Sequence, residues 1–474
     1  MLKFRVMRLC KFLAAKKDWL ALIFLLAIFL ALKISVIAPH FADGWIYFYF
    51  GKLVAAGDVP YRDFYYSSPP LIPYLMGFLH SLFGFKLSFA NLLPVLFSTL
   101  DAIFIFIFLR KKISANLALL AVFAYLFSLL NFATTDYFSE AHPLTTFALL
   151  GLLLFENRKL FWSGIFFGLA GLTKLYGILP AVFLPILLFR EPKNLTRFLS
   201  GIFLSFGIPN LIFFLLVGRE YLEMVFLNHL QKGEGIPKGR IFTFFLTKDF
   251  WLLLSAAPLL FAKKLKTILV PFLGILALVI FYIFFKDIYY LYFKIFVGFF
   301  VILLVLVLNG SPNIWRVDAK EFATKLIVIL ILTNSLFALQ HYFTTQTKKA
   351  RIENLTEIVA EVQKNEGEIY GDFEIAPLVA LLADKNIFQN YVDTNEKFLN
   401  LGIVNSEERA RELEESGVKI VLTKNLVSDD IYGLETLLPR EFFSQNCVVQ
   451  RTFPLRDDYV DNAVIVWKCG VSDE

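Results

Sequence analysis

Charge is what this sequence has least of. Asp, Glu, Lys and Arg make up only 18% of its 474 residues, against 58% hydrophobic residues that include 55 phenylalanines. A soluble chain of this length carries about a quarter charged residues, so an ordinary soluble protein is excluded. The three cysteines, Cys10, Cys447 and Cys469, form no metal-ligand pattern. Residues 345–474 contain neither Gly-x-Gly-x-x-Gly nor Gly-x4-Gly-Lys-Ser/Thr, which leaves a nucleotide site unsupported. No internal repeat or low-complexity tract stands out. The formal charge of +6 does not indicate a nucleic-acid partner, because the cations sit mainly between apolar runs.

Those runs dominate the chain. They fall at roughly 19–38, 87–109, 114–131, 143–155, 160–173, 175–189, 198–217, 248–262, 267–285, 290–309 and 322–341. Several exceed the ~18 apolar residues that mark a spanning helix, so the fold class is a polytopic α-helical membrane protein. The basic N-terminus precedes an apolar run without a small-residue cleavage site and reads as a retained first span. With that terminus cytoplasmic, the inside segments hold Arg110/Lys111/Lys112, Arg158/Lys159, Arg190/Lys193/Arg197, Lys263/Lys264/Lys266 and Arg316/Lys320/Lys325. The outside loop 132–142 has no Lys or Arg. This positive-inside asymmetry predicts about eleven spans in a cell membrane, with the C-terminal segment outside.

Two apolar segments do not fit as spans. "GWIYFYFGKLVAAG" (44–57) and "PPLIPYLMGFLHSLFG" (69–84) are short and amphipathic or Pro-started, and a crossing by the second would move Arg110–Lys112 outside. Both read as interfacial helices on the outer surface. The short runs 143–155 and 160–173 suggest tilted or partly buried helices around a cavity.

From about residue 345 the composition becomes that of a soluble domain. "KNEGEIYGD" and "GVKIVLTKN" read as short buried strands, and "NSEERARELEESG" as a helix capped by Asn405 and stopped by Gly417. "CVVQRTF" and "AVIVWKC" read as a hairpin that sets Cys447 opposite Cys469. A disulfide in an extracellular domain and two unpaired buried thiols both remain open. The expected organisation is a membrane domain over 1–344, whose outer loop 39–86 carries the two interfacial helices, and an extracytoplasmic α/β domain over 345–474.

Outward charges at a membrane face are site candidates by default. Asp43 follows the first span, beside Trp45 and Tyr47. It reads either as a carboxylate that takes a proton from an incoming hydroxyl or as the N-cap of helix 44–57. Asp136 and Glu140 of "NFATTDYFSEAHP", with His142 near, would share a helix face at i and i+4. They could orient an acceptor, hold a cation or simply be solvated. Lys174 in "GLAGLTKLYG" lies at an outer turn, where the positive-inside rule does not account for it. A lone cation there suits a lipid-linked phosphate, or snorkels to headgroups. The loop 218–249 adds His229, Lys232, Lys238 and Arg240 among glycines, a basic segment able to close over an anion or to stand in solvent. Tyr290 in "KDIYYLYFK" is a belt anchor or a substrate contact. Arg62, in "VPYRD", is turn or site.

Over residues 15–345 the chain resembles the C-type glycosyltransferases, membrane enzymes that use polyprenyl-phosphate sugars. The likeness is to the protein O-mannosyltransferase and lipid A aminoarabinose transferase branch. It rests on "ADGWIYFYFGKLVAAGDVPYRDFYYSSPPLIPYL", on "TTDYFSEAHP" and on "GIFFGLAGLTKLYGILP", in that order. The resemblance implies a catalytic acid at Asp43 and a donor-phosphate lysine at Lys174; Arg240 of the basic loop is a further candidate for contact with that phosphate. Donor and acceptor would be a polyprenyl-phosphate-linked sugar and a glycan, lipid or protein hydroxyl, among membrane lipids. The implied reaction is a single displacement with inversion. No paired-acid metal motif occurs, so no cofactor or metal is expected. The family's Asp-Glu pair is here Asp43-Gly44, which sets the protein acceptor in question, and no "WWDYG"-like motif supports an oligosaccharyltransferase. A transporter or flippase of lipid-linked saccharides is the competing class. It would show inverted repeats or broken helices near the midplane, and the charges here gather at one face.

Overall fold

The computed structural model describes residues 2–231, 236–250, 265–310, 317–348, 354–394, 405–426, 437–455 and 462–470. Helices make up most of it. In chain order they begin α1 (Leu2–Val36), α2 (Gly44–Ala56), α3 (Leu71–Phe83), α4 (Leu87–Arg110), α5 (Ala115–Leu126), α6 (Leu129–Thr134), α7 (Ala141–Glu156) and α8 (Leu160–Thr173). Among the described residues, Lys17–Val36, Leu87–Arg110, Pro192–Val217, Tyr290–Asn309 and Lys325–Thr345 are long and apolar enough to cross a bilayer. Shorter apolar helices cover Ala115–Leu126, Ala141–Glu156, Leu160–Thr173, Leu175–Leu188 and Ile268–Phe284. Every apolar run of the sequence except 248–262 coincides with one of these helices, and most of 248–262 lies outside the described residues.

One helix is the post of the bundle. The stretch Tyr290–Asn309 is 83% buried, against 22% for Lys17–Val36 and 17% for Pro192–Val217, so the latter two form the outer ring. The ring turns Ile23, Phe24, Leu215 and Leu216 outward, the apolar surface a lipid environment accommodates. The buried charges Asp101 and Lys294 inside the bundle are paired, as their burial requires. The Asp101 carboxylate accepts from the Tyr125 hydroxyl at 2.6 Å and from Thr146. Lys294 lies 3.9 Å from the same carboxylate and donates to the Ser98 hydroxyl at 2.9 Å and to the Asn131 amide oxygen.

A second core joins α2 and α3 to the C-terminal region. Trp45, Tyr49, Phe50, Ile72 and Met76 pack in one cluster with Ile358, Leu378, Ile387, Leu422 and Val464. Each such buried aromatic or aliphatic side chain contributes roughly 2 kcal/mol. On sequence, both short helices lie on the membrane surface. In the structure α3 exposes Phe78, Leu82 and Phe83 as such a helix should. Helix α2 instead is sandwiched, and its Tyr49 hydroxyl accepts from the Ile387 amide at 2.6 Å while Lys52 donates to the Lys385 carbonyl at 2.9 Å.

The C-terminal region carries a four-stranded sheet of order β1-β2-β4-β3, formed by Ile369–Gly371, Ile420–Leu426, Asn462–Cys469 and Cys447–Leu455 respectively. β1 and β2 run parallel, and the other pairs antiparallel. The helix Ser406–Ser416 starts at Asn405, whose side chain accepts from the Glu407 and Glu408 amides at 3.0 and 3.3 Å, and stops at Gly417 with φ 69°. Cys447 faces Cys469 in the hairpin register and is disulfide-bonded to it, which decides the cysteine alternatives in favour of the bond.

Candidate active site

A cavity of roughly 180 Å³ opens where the ends of the membrane helices meet the C-terminal region. Its wall is drawn from seven stretches of chain: the start of α2, residues 66–68, residues 137–141, the turn after α8, residues 287–292, and, in the C-terminal region, Phe373 and Asp393. Asp43 and Lys174 both line it, together with Glu140, Tyr47, Tyr66, Tyr176 and Tyr292.

Asp43 occupies the N-cap position of α2, but its side chain makes no capping hydrogen bond. Capping is therefore not what holds this acid in place. The residue is exposed and lines the cavity. Removal from bulk water raises its pKa; Glu374 and Glu140 push the same way and Lys174 opposes them, with a net rise above the ordinary carboxyl range. Gly44 explains why no second acid follows. A Cβ there would stand 2.6 Å from the Phe138 carbonyl oxygen, so the start of α2 presses backbone to backbone against the 137–140 segment.

Lys174 ends α8 in extended backbone (φ −156°, ψ 139°), and the chain doubles back at once. Gly177 permits this turn, since a Cβ on it would meet the Ala170 carbonyl at 2.2 Å. The Lys174 ammonium donates to Glu140 Oε2 at 2.5 Å, the Tyr66 hydroxyl donates to Glu140 Oε1 at 2.7 Å, and the ammonium lies 5.4 Å from the Tyr292 ring centroid. Burial alone would lower its pKa, but Glu140 more than offsets this and holds the lysine charged, above its ordinary value.

The other sequence candidates take varied places. Asp136 does not line the cavity. It is gripped by Lys33 of α1 and by His341 Nε2 at 2.7 Å, and these partners outweigh its burial to hold its pKa at about 2. Residues 135–140 are not helical, so Asp136 and Glu140 do not share a helix face. His229 also stands behind the wall, its Nε2 2.7 Å from the carbonyl of the lining residue Ser67. The Tyr290 hydroxyl bonds that of the lining residue Tyr137 at 2.9 Å. Arg62 pairs with its neighbour Asp63, which also takes the Val59 amide at 2.7 Å, and so closes the turn after α2 away from the cavity. Arg240 is exposed on the helix Lys238–Lys248 and does not line the cavity; Lys232 lies outside the described residues.

Several lining residues escaped sequence reasoning. Tyr47 was legible, since it follows Asp43 by four residues and shares its helix face. Asp287 was legible as an outward acid beside the tyrosines of "KDIYYLYFK". Phe373 and Asp393 carry no local signal, because only the docking of the C-terminal region brings them here.

The comparisons with known proteins fit this geometry. Residues 67–217, under half of the chain, match the family model described as dolichyl-phosphate-mannose-protein mannosyltransferase. No curated protein matches. ArnT from Cupriavidus metallidurans, solved with undecaprenyl phosphate, aligns with TM-score 0.60 at 13% identity, over 94% of this chain and 97% of its own. The oligosaccharyltransferase AglB from Archaeoglobus fulgidus, solved with an inhibitory peptide and a dolichol-phosphate, aligns with TM-score 0.52 at 14% identity over 86% of this chain and 70% of its own. The arabinofuranosyltransferase AftD from Mycobacteria aligns with TM-score 0.53 at 14% identity, over 96% of this chain but 40% of its own. At these identities the likeness is one of fold. The chain is a multi-pass membrane protein that resembles the C-type glycosyltransferases, with mannosyltransferase likeness in sequence and ArnT likeness in architecture.

Proposed function

We propose that the protein is an inverting glycosyltransferase that moves a sugar from a polyprenyl-phosphate donor to a hydroxyl acceptor at the outer membrane face. The observation that carries this reading is the sharing of one cavity by Asp43 and Lys174. Asp43 takes the proton of the acceptor hydroxyl as its oxygen bonds to the anomeric carbon. The bond from that carbon to the phosphate oxygen breaks on the opposite face, and the polyprenyl phosphate leaves with the electron pair. Lys174 stabilises the charge that gathers on the departing phosphate, sharing its ammonium between that phosphate and Glu140.

An apolar groove gives the lipid tail a course. Leu179, Val182, Phe183, Ala277, Ile280, Phe281, Phe284 and Phe285 line a space of roughly 350 Å³. Tyr176, in the cavity wall, stacks on Phe281 of the groove at 5.7 Å. A donor could then set its sugar phosphate by Lys174 and its isoprenoid chain in the groove. The topology that goes with this reading is about eleven spans, a cytoplasmic N-terminus and a C-terminal α/β domain outside the cell.

The test is release of polyprenyl phosphate from a radiolabelled polyprenyl-phosphate sugar by the reconstituted protein. General-base assistance is typically worth ~10²–10⁴ in rate, so Asp43→Asn should lose that much while folding normally. Wild-type turnover should fall as pH drops through a pKa above the ordinary carboxyl range, and should persist in chelator. Full activity of Asp43→Asn removes Asp43 from the base role.

A further inference from the structure

The tyrosines of the cavity wall differ in what their side chains already do. The Tyr66 hydroxyl donates to Glu140 Oε1 at 2.7 Å, and the Tyr137 hydroxyl is bonded to that of Tyr290 at 2.9 Å. Tyr176 and Tyr292 stand at the Lys174 end, their rings 4.7 Å apart and the Tyr292 centroid 5.4 Å from the ammonium. Tyr47 is placed elsewhere. It lines the cavity and its ring meets that of Phe138 edge-on at 5.9 Å, yet its hydroxyl makes no hydrogen bond to any described residue.

The helix that carries Tyr47 sets its position. It is the fourth residue after Asp43, so one turn of α2 brings its side chain to the face on which Asp43 stands. Phe138, its ring neighbour, belongs to the wall segment that goes on to Glu140. Tyr47 is thus flanked by the proposed base and by the residue that holds Lys174. Burial first, then Glu140 and Asp43, hold its pKa well above the ordinary tyrosine value, so the hydroxyl is a neutral donor.

In a single displacement the anomeric carbon lies between the entering and the leaving oxygen. Asp43 marks the entering end and Lys174 the leaving end, so a group set between them faces the sugar being transferred. That sugar's hydroxyls exchange water for partners in the cavity, and they both donate and accept. Ionised carboxylates can only accept from them. Tyr47 supplies a donor that the fold itself does not use.

We infer that Tyr47 is a binding residue for the transferred sugar, its hydroxyl donating to a sugar hydroxyl of the donor substrate and not to the phosphate or the acceptor. This rests on the transferase reading above and adds to it a contact that reads the sugar.

The experiment uses the reconstituted full chain, octyl mannoside as acceptor, and the mannose, glucose and galactose forms of the polyprenyl-phosphate donor. Tyr47→Phe removes a single oxygen that bonds no described residue, so the variant should be as heat-stable as the wild type. It should bind the best donor about fivefold more weakly, the typical worth of one neutral hydrogen bond, and lose at least that factor in kcat/KM. Affinity for sugar-free polyprenyl phosphate and the KM for octyl mannoside should not change, a split that a merely structural role would not produce. The 2-, 3-, 4- and 6-deoxy forms of that donor then locate the contact, since one of them should be bound equally by wild type and variant. Unchanged donor binding, weakened binding of polyprenyl phosphate, a raised acceptor KM, or the same deficit on every deoxy donor overturns the sugar contact and leaves the transferase reading standing. Failure of the wild type to cleave any of the three donors is a different result. It overturns the transferase reading, and the sugar contact falls with it.

Discussion

The Lys174–Glu140 pair offers the most exposing test of the site. Glu140 is 2% exposed and the Lys174 side chain 20% exposed, so solvent screens the pair little. Removing one partner of a buried pair costs about 3–5 kcal/mol, because the other charge is left uncompensated. The residual exposure of Lys174 places each single change near the lower end, about 3 kcal/mol. In Lys174→Met/Glu140→Gln no orphan charge remains, and Tyr66 still finds an acceptor in the amide oxygen. The double variant should therefore cost less than the two singles together, with a coupling on the order of 2 kcal/mol. SDS titration in mixed micelles, followed by helicity, measures all four proteins. Costs that add to within about 0.5 kcal/mol would refute the pairing as an energetic unit. Donor binding supplies an independent arm. Lys174→Met should weaken binding of polyprenyl phosphate at least tenfold, whereas Glu140→Gln should not weaken it, because the phosphate then has no rival for the ammonium.

Three other perturbations bear on the framework. Asp136 is held at about pKa 2, below the ordinary carboxyl value near 3.9. Its pairing thus stabilises the fold above that ordinary value, and about 2 kcal/mol drains away as pH falls toward 2. In acid titration, the wild-type advantage over Asp136→Asn should vanish between about pH 4 and 2; a constant difference would sink the assignment. Reducing Cys447–Cys469 opens a link across 22 residues, worth about 3 kcal/mol by loop entropy, and should speed proteolysis of the terminal hairpin. Unchanged cleavage would show that the hairpin needs no clasp. Gly44→Glu restores the acid pair of the mannosyltransferases but drives a Cβ into the Phe138 carbonyl, so turnover should fall by about 10². Wild-type turnover in that variant would mean α2 can shift freely.

Local features were legible because they leave periodic or compositional marks. Length of apolar run outlined the helices of the bundle. Asn405 and Gly417 bracketed the helix between them because cap chemistry is local. The site was legible only where one residue stood out against its surroundings, as Asp43 and Lys174 do. Glu140 was seen, but as one of a pair with Asp136. The i, i+4 spacing suggested a shared face, whereas the intervening backbone is a turn that sends one acid to Lys33 and the other to Lys174. The burial of α2 was illegible for a different reason. Its apolar face suits a membrane surface and a protein interior equally, and the choice is made by the C-terminal region more than 300 residues further on, which meets it at Ile387 and Lys385.

That same docking bears on how Asp43 should be understood. An acid at a helix start has a ready local explanation, and the sequence offers no means of setting it aside. The absent capping hydrogen bond removes the local explanation, while the rise in its pKa comes first from surrounding protein and then from Glu374 of the C-terminal region. An acid that does not cap the helix it begins, and whose pKa burial raises against the pull of its own backbone amide with Glu374 adding to the rise, is suited to gaining a proton. A cap would have been stabilised as the anion, with its pKa lowered. The direction of the shift therefore separates the two roles: a base drawn toward neutrality by its cavity should titrate in the activity profile, whereas a cap would titrate in the acid unfolding of α2.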